Sequence, residues 1–181
     1  MKKVFITLLI ILFTTAAFSQ QVPRERVILE IATGTWCGYC PGAAMGADDL
    51  VAAGCDVAVI EYHNGDAFAN TASNYRNSYY NVPGYPTAHF DGVLEYVGGS
   101  ATQSMYNNYL PLYNQRIAIP CDYTASIFGQ NNGLTYDVTV VIDLHSGTPP
   151  ANLTAHLVLT ESEIQYNWQN QTELNYVCRA M

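Results

Sequence analysis

The pattern of apolar and polar positions in the first third of the chain predicts a strand, a helix and a second strand. Residues 26–33 form a β-branched, largely apolar run typical of a buried strand, and residues 56–63 form another. The small residues between these runs predict a helix that ends near Ala53, because Gly54 follows as a stop signal. A strand–helix–strand unit with this spacing predicts parallel strands that end at the same edge of the sheet.

The middle of the chain predicts two further helices and a β-hairpin. Helices are expected at about residues 66–80 and 101–116. Asp91-Gly92 is a hairpin signal that joins a short strand at residues 88–90 to another at residues 93–97. The resulting order, β-α-β-α-β-β-α, is that of the thioredoxin fold, which belongs to the α/β class.

A change in the pattern of apolar and polar residues at residue 119 predicts a domain boundary. Residues 24–118 are expected to form the thioredoxin-like domain. After them, apolar and polar residues alternate in three stretches that Gly-, Asn- and Pro-rich loops separate: 123–128, 134–144 and 153–161. This alternation is typical of an antiparallel β-sandwich, which has about seven strands. Residues 119–181 therefore predict an incomplete, Ig-like β-sandwich, and the abrupt end at Met181 suggests a fragment.

The first residues have the features of a secretory signal. Lys2 and Lys3 form a basic start, residues 4–13 an apolar run, and Ala17-Phe18-Ser19 a small-residue cleavage pattern. The apolar run has half of the ~20 residues that a membrane-spanning helix needs, which argues against the alternative of a retained N-terminal anchor. We therefore predict a signal peptide at residues 1–19, an exported protein and a mature chain without a transmembrane span.

The net charge of the chain limits the classes of molecule that it is expected to bind. It has 7 Lys and Arg against 15 Asp and Glu, which gives a formal net charge of −8. Both lysines fall within the predicted signal, so the mature chain keeps only arginines as permanent side-chain cations. Nucleic acids and anionic membranes bind clustered cations, so an acidic chain of this kind disfavours both as partners.

The candidate chemistry lies in the turn Trp36-Cys37-Gly38-Tyr39-Cys40-Pro41. A Cys-x-x-Cys between a strand and a helix is typical of a thioredoxin-like redox site. The free N–H groups of a helix start stabilise a thiolate, so Cys37 is predicted as the nucleophile and Cys40 as the resolving thiol. The alternative is a structural disulfide, although a two-residue loop gives little entropic stabilisation. Zinc is disfavoured because nothing nearby completes four ligands, and neither a metal nor a cofactor is expected.

Residues around this turn are expected to contact the thiols or disulfides of a substrate protein. Trp36, Gly38 and Tyr39 lie in the turn itself. In the second segment, Tyr85-Pro86-Thr87, the missing N–H of Pro86 leaves the backbone of Tyr85 available for β-addition to an extended partner. From the residues alone, a cis Tyr85–Pro86 bond and an ordinary trans turn proline are equally open.

Three polar residues of the predicted strands have alternative interpretations. Glu30 lies in a buried strand, where it is a candidate general base for Cys40. The alternative for Glu30 is an ion pair with an arginine at the sheet margin. His63, at the end of the second strand, is placed on the same rim as Cys37, where it either tunes that thiol or forms structural hydrogen bonds. His89 is interpreted as structural.

The number of cysteines limits which disulfides the chain can form. Five cysteines are an odd number, so at least one thiol is unpaired or pairs transiently. Outside the cytoplasm disulfides persist, and a bridge between Cys121 and Cys178 would leave Cys55 alone. The spacing does not decide between this pairing and others.

Three stretches carry a resemblance to a known family. They are residues 30–41 (EIATGTWCGYCP), 58–66 (AVIEYHNGD) and 82–92 (VPGYPTAHFDG). On them the chain resembles the 28-kilodalton outer membrane protein family of Gram-negative bacteria, and residues 134–166 resemble the start of that family's β-sandwich. The resemblance implies an exported thioredoxin-like protein in which Cys37 and Cys40 are the redox pair and Pro86 is a cis-proline. The chain departs from the family at residues 176–181 and stops where the family continues.

Two functions are consistent with these features. The first is a thiol–disulfide oxidoreductase that exchanges disulfides with protein substrates in the periplasm, or at the outer membrane or cell surface, of a Gram-negative bacterium. The alternative is a cell-envelope or surface binding module in which the Cys-x-x-Cys disulfide is structural or vestigial. The acidic, tyrosine-rich composition and the predicted sandwich favour this alternative, since sandwiches are common binding platforms. The direction of exchange and the partner protein stay open.

Overall fold

The computed structural model describes residues 20–181, and the predicted signal peptide at residues 1–19 lies outside the described residues. The fold is mixed α/β, with a six-stranded mixed sheet, three helices and additional β-hairpins in this part of the chain. The elements in chain order are β1 (Val27–Thr33), α1 (Cys40–Ala52), β2 (Val57–His63), α2 (Thr71–Tyr79), β3 (Thr87–Phe90), β4 (Leu94–Val97), α3 (Tyr106–Ile117), β5 (Tyr123–Asn131), β6 (Tyr136–Leu144), β7 (Leu159–Glu161), β8 (Ile164–Trp168), β9 (Gln171–Leu174) and β10 (Val177–Ala180).

The predicted order of the first seven elements is confirmed. Strands β1 and β2 are parallel, and their last residues, Thr33 and His63, pair with each other at one edge of the sheet. Strand β3 pairs with β1 in the antiparallel direction, and β3 and β4 form the predicted hairpin. Its turn residues Asp91 and Gly92 both have positive φ, 52° and 64°, as the favoured tight hairpin turns require.

The main hydrophobic core lies between the sheet and helices α1 and α3. Leu29 and Ile31 of β1 and Leu50 of α1 are fully buried in it, together with Tyr109 of α3. Small residues on α1 let the segment before α3 approach closely. A Cβ on Gly42 would lie 2.6 Å from the backbone oxygen of Gln103, so only glycine fits there.

The strands after residue 119 differ from the predicted partial sandwich. Strands β5 and β6 form the expected antiparallel pair, as a two-stranded sheet of their own. The third predicted strand, 153–161, is reduced to β7, and β7 joins the central sheet through β10 in the order β4-β3-β1-β2-β10-β7. An alternating pattern identifies a strand but not its partner. The edge of β2 is a ready template for pairing, and β10 occupies it.

Candidate functional site

The Cys-x-x-Cys turn connects β1 to α1, and its two cysteines form a disulfide. The N–H of Cys37 donates to the carbonyl of Gly34 at 3.0 Å, and the N–H of Cys40 donates to the carbonyl of Cys37 at 3.3 Å. Cys40 is the first residue of α1, and Pro41 follows in the first turn, where a missing N–H costs little. The predicted strand–turn–helix setting of the pair is therefore confirmed.

The segment around Pro86 lies beside this turn. The Tyr85–Pro86 peptide bond is cis, as the family resemblance implies. The Sγ atom of Cys37 lies 3.4 Å from the carbonyl oxygen of Tyr85. Gly99 lies against both segments, because a Cβ there would be 2.3 Å from the carbonyl oxygen of Tyr39 and 2.7 Å from Cγ of Pro86. The fold thus brings together two segments that are almost fifty residues apart in sequence.

Aromatic side chains form the exposed rim of the site. Trp36 and Tyr39 are 54% and 65% exposed. Trp36 donates from Nε1 to the carbonyl of Asn64 at 2.7 Å and meets the ring of Tyr85 edge-on, with 5.5 Å between centroids. Gly38 is exposed in the turn between the two cysteines.

Thr87, in contrast, does not reach this rim. Thr87 is fully buried, and its hydroxyl donates to the carbonyl of Gly84 at 2.7 Å. The side chain of Thr87 is therefore not available to a partner in this structure, and a contact of Thr87 with substrate stays a prediction. Thr87 begins β3, and its hydroxyl holds the preceding turn in place.

Both sulfur-bearing residues are covered. Cys37 is 4% exposed and Cys40 is 0% exposed, in a hydrophobic cluster with Trp168, Leu174 and Val177. Trp168 therefore packs in the cluster that contains the disulfide, whereas Trp36 lies at the exposed rim. The sequence interpretation missed these covering residues, although the alternation in Ile164-Gln165-Tyr166-Asn167-Trp168 is a strand signal.

Glu30 is buried in an ion-pair network, which agrees with the alternative interpretation of this residue. Arg76 donates to its two carboxylate oxygens from Nε at 2.7 Å and from Nη2 at 3.1 Å. The hydroxyl of Tyr62 donates to Glu30 at 3.1 Å, and the hydroxyl of Tyr80 also donates to it. The expected position at the sheet margin is wrong, because Glu30 is only 4% exposed. His89 is also buried and stacks on Tyr80, as a structural residue would.

His63 lies in a second buried polar cluster, at the end of β2. Its Nδ1 is 2.7 Å from Oδ2 of Asp66, and its Nε2 is 3.7 Å from Oε2 of Glu61, which is ion-pair range but too long for a hydrogen bond. Burial lowers the pKa of His63, but the contacts with Asp66 and Glu61 outweigh it and raise the pKa to about 9. At neutral pH His63 is therefore a buried cation between two carboxylates.

Asp66 connects this cluster to the cysteine turn. Its Oδ2 accepts the N–H of Thr35 at 2.8 Å, and its Oδ1 accepts the N–H of Phe68 at 2.9 Å and of Ala69 at 3.1 Å. Burial raises the pKa of Asp66, but the hydrogen bonds from His63 and Thr35 lower it to about 2. Asp66 thus connects His63 to Thr35, which lies two residues before Cys37.

The remaining cysteines are free thiols. The suggested bridge between Cys121 and Cys178 is wrong. Cys121 makes a β-bridge with Val22, whereas Cys178 lies on β10 within the central sheet and is 1% exposed. Burial raises the pKa of the Cys55 and Cys178 thiols, which keeps both in the less reactive protonated form.

Residues 20–181 contain neither a metal-ion cluster nor a membrane-spanning helix. Within residues 20–181, no group of three or more His, Cys, Asp and Glu side chains is arranged to hold a metal ion. In the same part of the chain, none of the helices combines the length and the apolar character that crossing a membrane requires.

The fold and site define an α/β protein with a Cys-x-x-Cys disulfide at a strand–helix junction. The chain matches no protein-family model and no curated protein. Among solved structures it is similar to HBP35 of Porphyromonas gingivalis, with a TM-score of 0.54 and 17% identity over 83% of this chain. It also matches a structural-genomics protein from Agrobacterium tumefaciens, with a TM-score of 0.44 and 18% identity over 67% of this chain.

These likenesses concern part of each solved protein. The chain spans 53% of HBP35 and 57% of the Agrobacterium protein. At this level of identity, the likeness to HBP35 is one of fold. The chemistry of the site is therefore argued from the residues of this chain.

Proposed function

We propose that this protein is an exported thiol–disulfide oxidoreductase with a thioredoxin-like fold, which exchanges disulfides with protein substrates through Cys37 and Cys40. The observation that carries the proposal is the position of the disulfide. It links the turn after β1 to the first residue of α1, where a helix start stabilises the thiolate that exchange releases. A disulfide that only stabilised the fold would gain little from closing so short a loop.

The exchange has two balanced steps. A substrate thiolate attacks Sγ of Cys37, the Cys37–Cys40 bond breaks, and Cys40 leaves as a thiolate. A second substrate thiolate then attacks the substrate sulfur of the mixed disulfide and releases the Cys37 thiolate. The substrate is oxidised to a disulfide, and the protein is reduced by two electrons. The same steps in reverse reduce a substrate disulfide, with Cys40 resolving the mixed disulfide.

The surroundings of Cys37 suit an extended polypeptide partner. The backbone of Tyr85 lies next to the sulfur, and Pro86 has no N–H to compete for it. A substrate strand could pair with this backbone by β-addition while its side chains contact Trp36 and Tyr39, which are exposed. The net negative charge of the chain favours protein partners over nucleic acids.

The expected location and family belong to the same proposal. The predicted signal peptide and the Cys37–Cys40 disulfide both favour export, to the periplasm or to the outer membrane or cell surface of a Gram-negative bacterium. The order β-α-β-α-β-β-α of the elements between Val27 and Ile117 supports a thioredoxin-like core. Membership of the 28-kilodalton outer membrane protein family rests on the motifs around Cys37 and Pro86.

Cysteine variants test the proposal directly. We expect Cys37→Ser to abolish the reduction of insulin by dithiothreitol that the wild-type protein catalyses. Cys40→Ser should accumulate mixed disulfides with substrate proteins, because the resolving thiol is gone. Cys55→Ser is the matched control, since Cys55 is a free thiol outside the disulfide, and it should keep wild-type activity. Full activity of the Cys37→Ser protein would exclude this mechanism.

One observation favours the second candidate, an envelope binding module with a structural disulfide. Cys37 is only 4% exposed, and a sulfur so well covered resists exchange. The reduction potential separates the two candidates. A value below about −300 mV is typical of structural disulfides, whereas exchange proteins lie at about −120 to −270 mV.

A further inference from the structure

The β8–β9 hairpin covers the disulfide with one apolar face. Trp168 and Leu174, 5% and 1% exposed, pack in the same cluster as Cys37 and Cys40, with Ile164 at its border. A register shift between Gln165 and Trp168 interrupts the β8–β9 ladder, and such bulges commonly re-aim a side chain. Here the bulged strand ends with Trp168, which lies in the same apolar cluster as the two cysteines.

Outside the apolar cluster, individual side chains connect the hairpin and its base to the rest of the protein; at the base, Asn175 donates from Nδ2 to Oδ1 of Asp48 on α1 at 3.4 Å. The tip residue Gln169 donates from Nε2 to the carbonyl of Thr35 at 3.1 Å, in the cysteine turn. On the side, Tyr166 meets Phe68 edge-on, with 4.9 Å between ring centroids. The two strands form a two-stranded sheet of their own, separate from the central sheet. The hairpin is therefore a discrete unit that side chains, and not a shared ladder, hold against the site.

The base of the hairpin has the features of a hinge. Glu163 lies just before β8, and Tyr176 lies just after β9. Neither is a glycine, yet they have positive φ values of 61° and 57°. Two hydrogen bonds tie the base together, from Glu163 N–H to Asn175 Oδ1 and from Tyr176 N–H to Ser162 Oγ, both 2.9 Å. Residues at the ends of elements absorb the dihedral changes of hinge motions.

Strands β7 and β10 lie beyond this base and anchor it to the central sheet. They pair with each other, with Val177 opposite Glu161, and Val177 also pairs with Glu61 of β2. A rotation at the base would lift Trp168 from the disulfide and leave both anchoring strands in place.

We propose that the β8–β9 hairpin is a hinged cover over the Cys37–Cys40 disulfide, and that Trp168 is the positioning residue that seats it. In the closed form, attack on Sγ of Cys37 is blocked, because the residue is 4% exposed. Thiols reach the sulfur only in the open form, so the population of that form limits the rate of exchange. A role of the hairpin in regulating redox exchange rests on the proposed function. The physical covering of the disulfide does not depend on that function.

The rate at which dithiothreitol reduces the disulfide tests the cover. Dithiothreitol supplies two electrons and two protons, becomes a cyclic disulfide and leaves Cys37 and Cys40 as thiols. We expect Trp168→Ala to be reduced faster than wild type by roughly tenfold or more, because the closed form loses its main apolar contact. Gln169→Ala should be reduced roughly threefold faster, since it loses one hydrogen bond to Thr35. The progress of reduction is followed by acid quench, alkylation and mass spectrometry.

Controls separate opening of the hairpin from unfolding. Thr172→Ala changes an exposed residue of β9 and should be reduced at the wild-type rate. Cys178, a buried free thiol on β10, reports on unfolding of the sheet through its alkylation by iodoacetamide before any reductant is added. Faster reduction with unchanged protection of Cys178 supports the cover. If Trp168→Ala exposes Cys178, then Gln169→Ala, whose side chain is exposed, decides the question.

Two results would overturn the cover. One is reduction of both variants at the wild-type rate, and the other is equal acceleration in Thr172→Ala. Neither depends on catalysis, because dithiothreitol acts on the protein's own disulfide. A protein that shows the expected rates but fails to reduce insulin would retain the cover and lose the proposed function.

Discussion

Nδ1 of His63 and Oδ2 of Asp66 lie 2.7 Å apart in a buried ion pair at the end of β2. The same oxygen of Asp66 accepts the backbone N–H of Thr35 at 2.8 Å. One carboxylate therefore joins the end of β2 to the start of the cysteine turn. Because the side chain of His63 has no exposed surface, its charge is stabilised by Asp66 and Glu61 instead of water.

The first prediction concerns the pH dependence of stability. The pKa of His63 is raised from 6.5 to about 9, so its contribution is complete below pH 6.5 and is lost as the pH rises through 9. The pKa of Asp66 is lowered from 3.8 to about 2, so its contribution is complete above pH 3.8 and is lost as the pH falls towards 2. These two groups together favour greatest stability between about pH 4 and 6.5.

Urea unfolding at a series of pH values measures this dependence. Between pH 6.5 and 9.5 we expect the wild-type protein to lose on the order of 3 kcal/mol of unfolding free energy from His63. His63→Gln should remove most of this slope, whereas His156→Gln, at an exposed position, should retain it. Identical slopes in the wild-type and His63→Gln proteins would show that the ion pair with Asp66 does not titrate in this range.

The second prediction concerns the buried pair of Glu30 and Arg76. Removal of the guanidinium in Arg76→Ala leaves the Glu30 carboxylate buried with only hydroxyl partners, so we expect a loss of about 3 kcal/mol in unfolding free energy. Glu30→Gln combined with Arg76→Ala should cost less than Arg76→Ala alone, because no uncompensated charge remains. Chemical denaturation of both variants at pH 6 provides the comparison.

A surface ion pair serves as the control for that experiment. Arg179 and Glu161 lie 3.0 Å apart with side chains 43% and 53% exposed, so Arg179→Ala should cost less than about 1 kcal/mol. Equal losses for Arg76→Ala and Arg179→Ala would mean that burial adds nothing to the Glu30 pair.

Local pattern predicted the elements of this fold better than it predicted their partners. The apolar runs and Gly54 gave the bounds of β1, α1 and β2 to within one or two residues, because those signals are contained in each segment. By contrast, β10 is four residues long and includes Cys178 and Arg179, so its sequence carries no clear period. Its place beside β2 depends on an open edge more than a hundred residues earlier in the chain.

In the site as well, contacts between residues close in sequence were predictable, and contacts between residues distant in sequence were not. The Cys-x-x-Cys spacing was sufficient to predict the turn and its place before α1, since both follow from neighbouring residues. The buried position of Glu30 was also readable, but its partner Arg76 lies 46 residues away and cannot be identified from spacing. Trp168 was missed for this reason as well, because it lies more than a hundred residues after the cysteines whose cluster it joins.

The last prediction concerns Gly99, which lies against both segments of the site. A Cβ at this position would be 2.3 Å from the carbonyl oxygen of Tyr39 and 2.7 Å from Cγ of Pro86, and neither atom belongs to a flexible side-chain end. Gly99→Ala should therefore push the two segments apart, lower the unfolding free energy by about 1–3 kcal/mol, and slow insulin reduction. Gly84→Ala is the matched control, because a Cβ there meets nothing within 4 Å. Urea unfolding and insulin turnover of the two variants check the prediction, and equal values for both would mean that the close approach of Tyr39 and Pro86 is not needed.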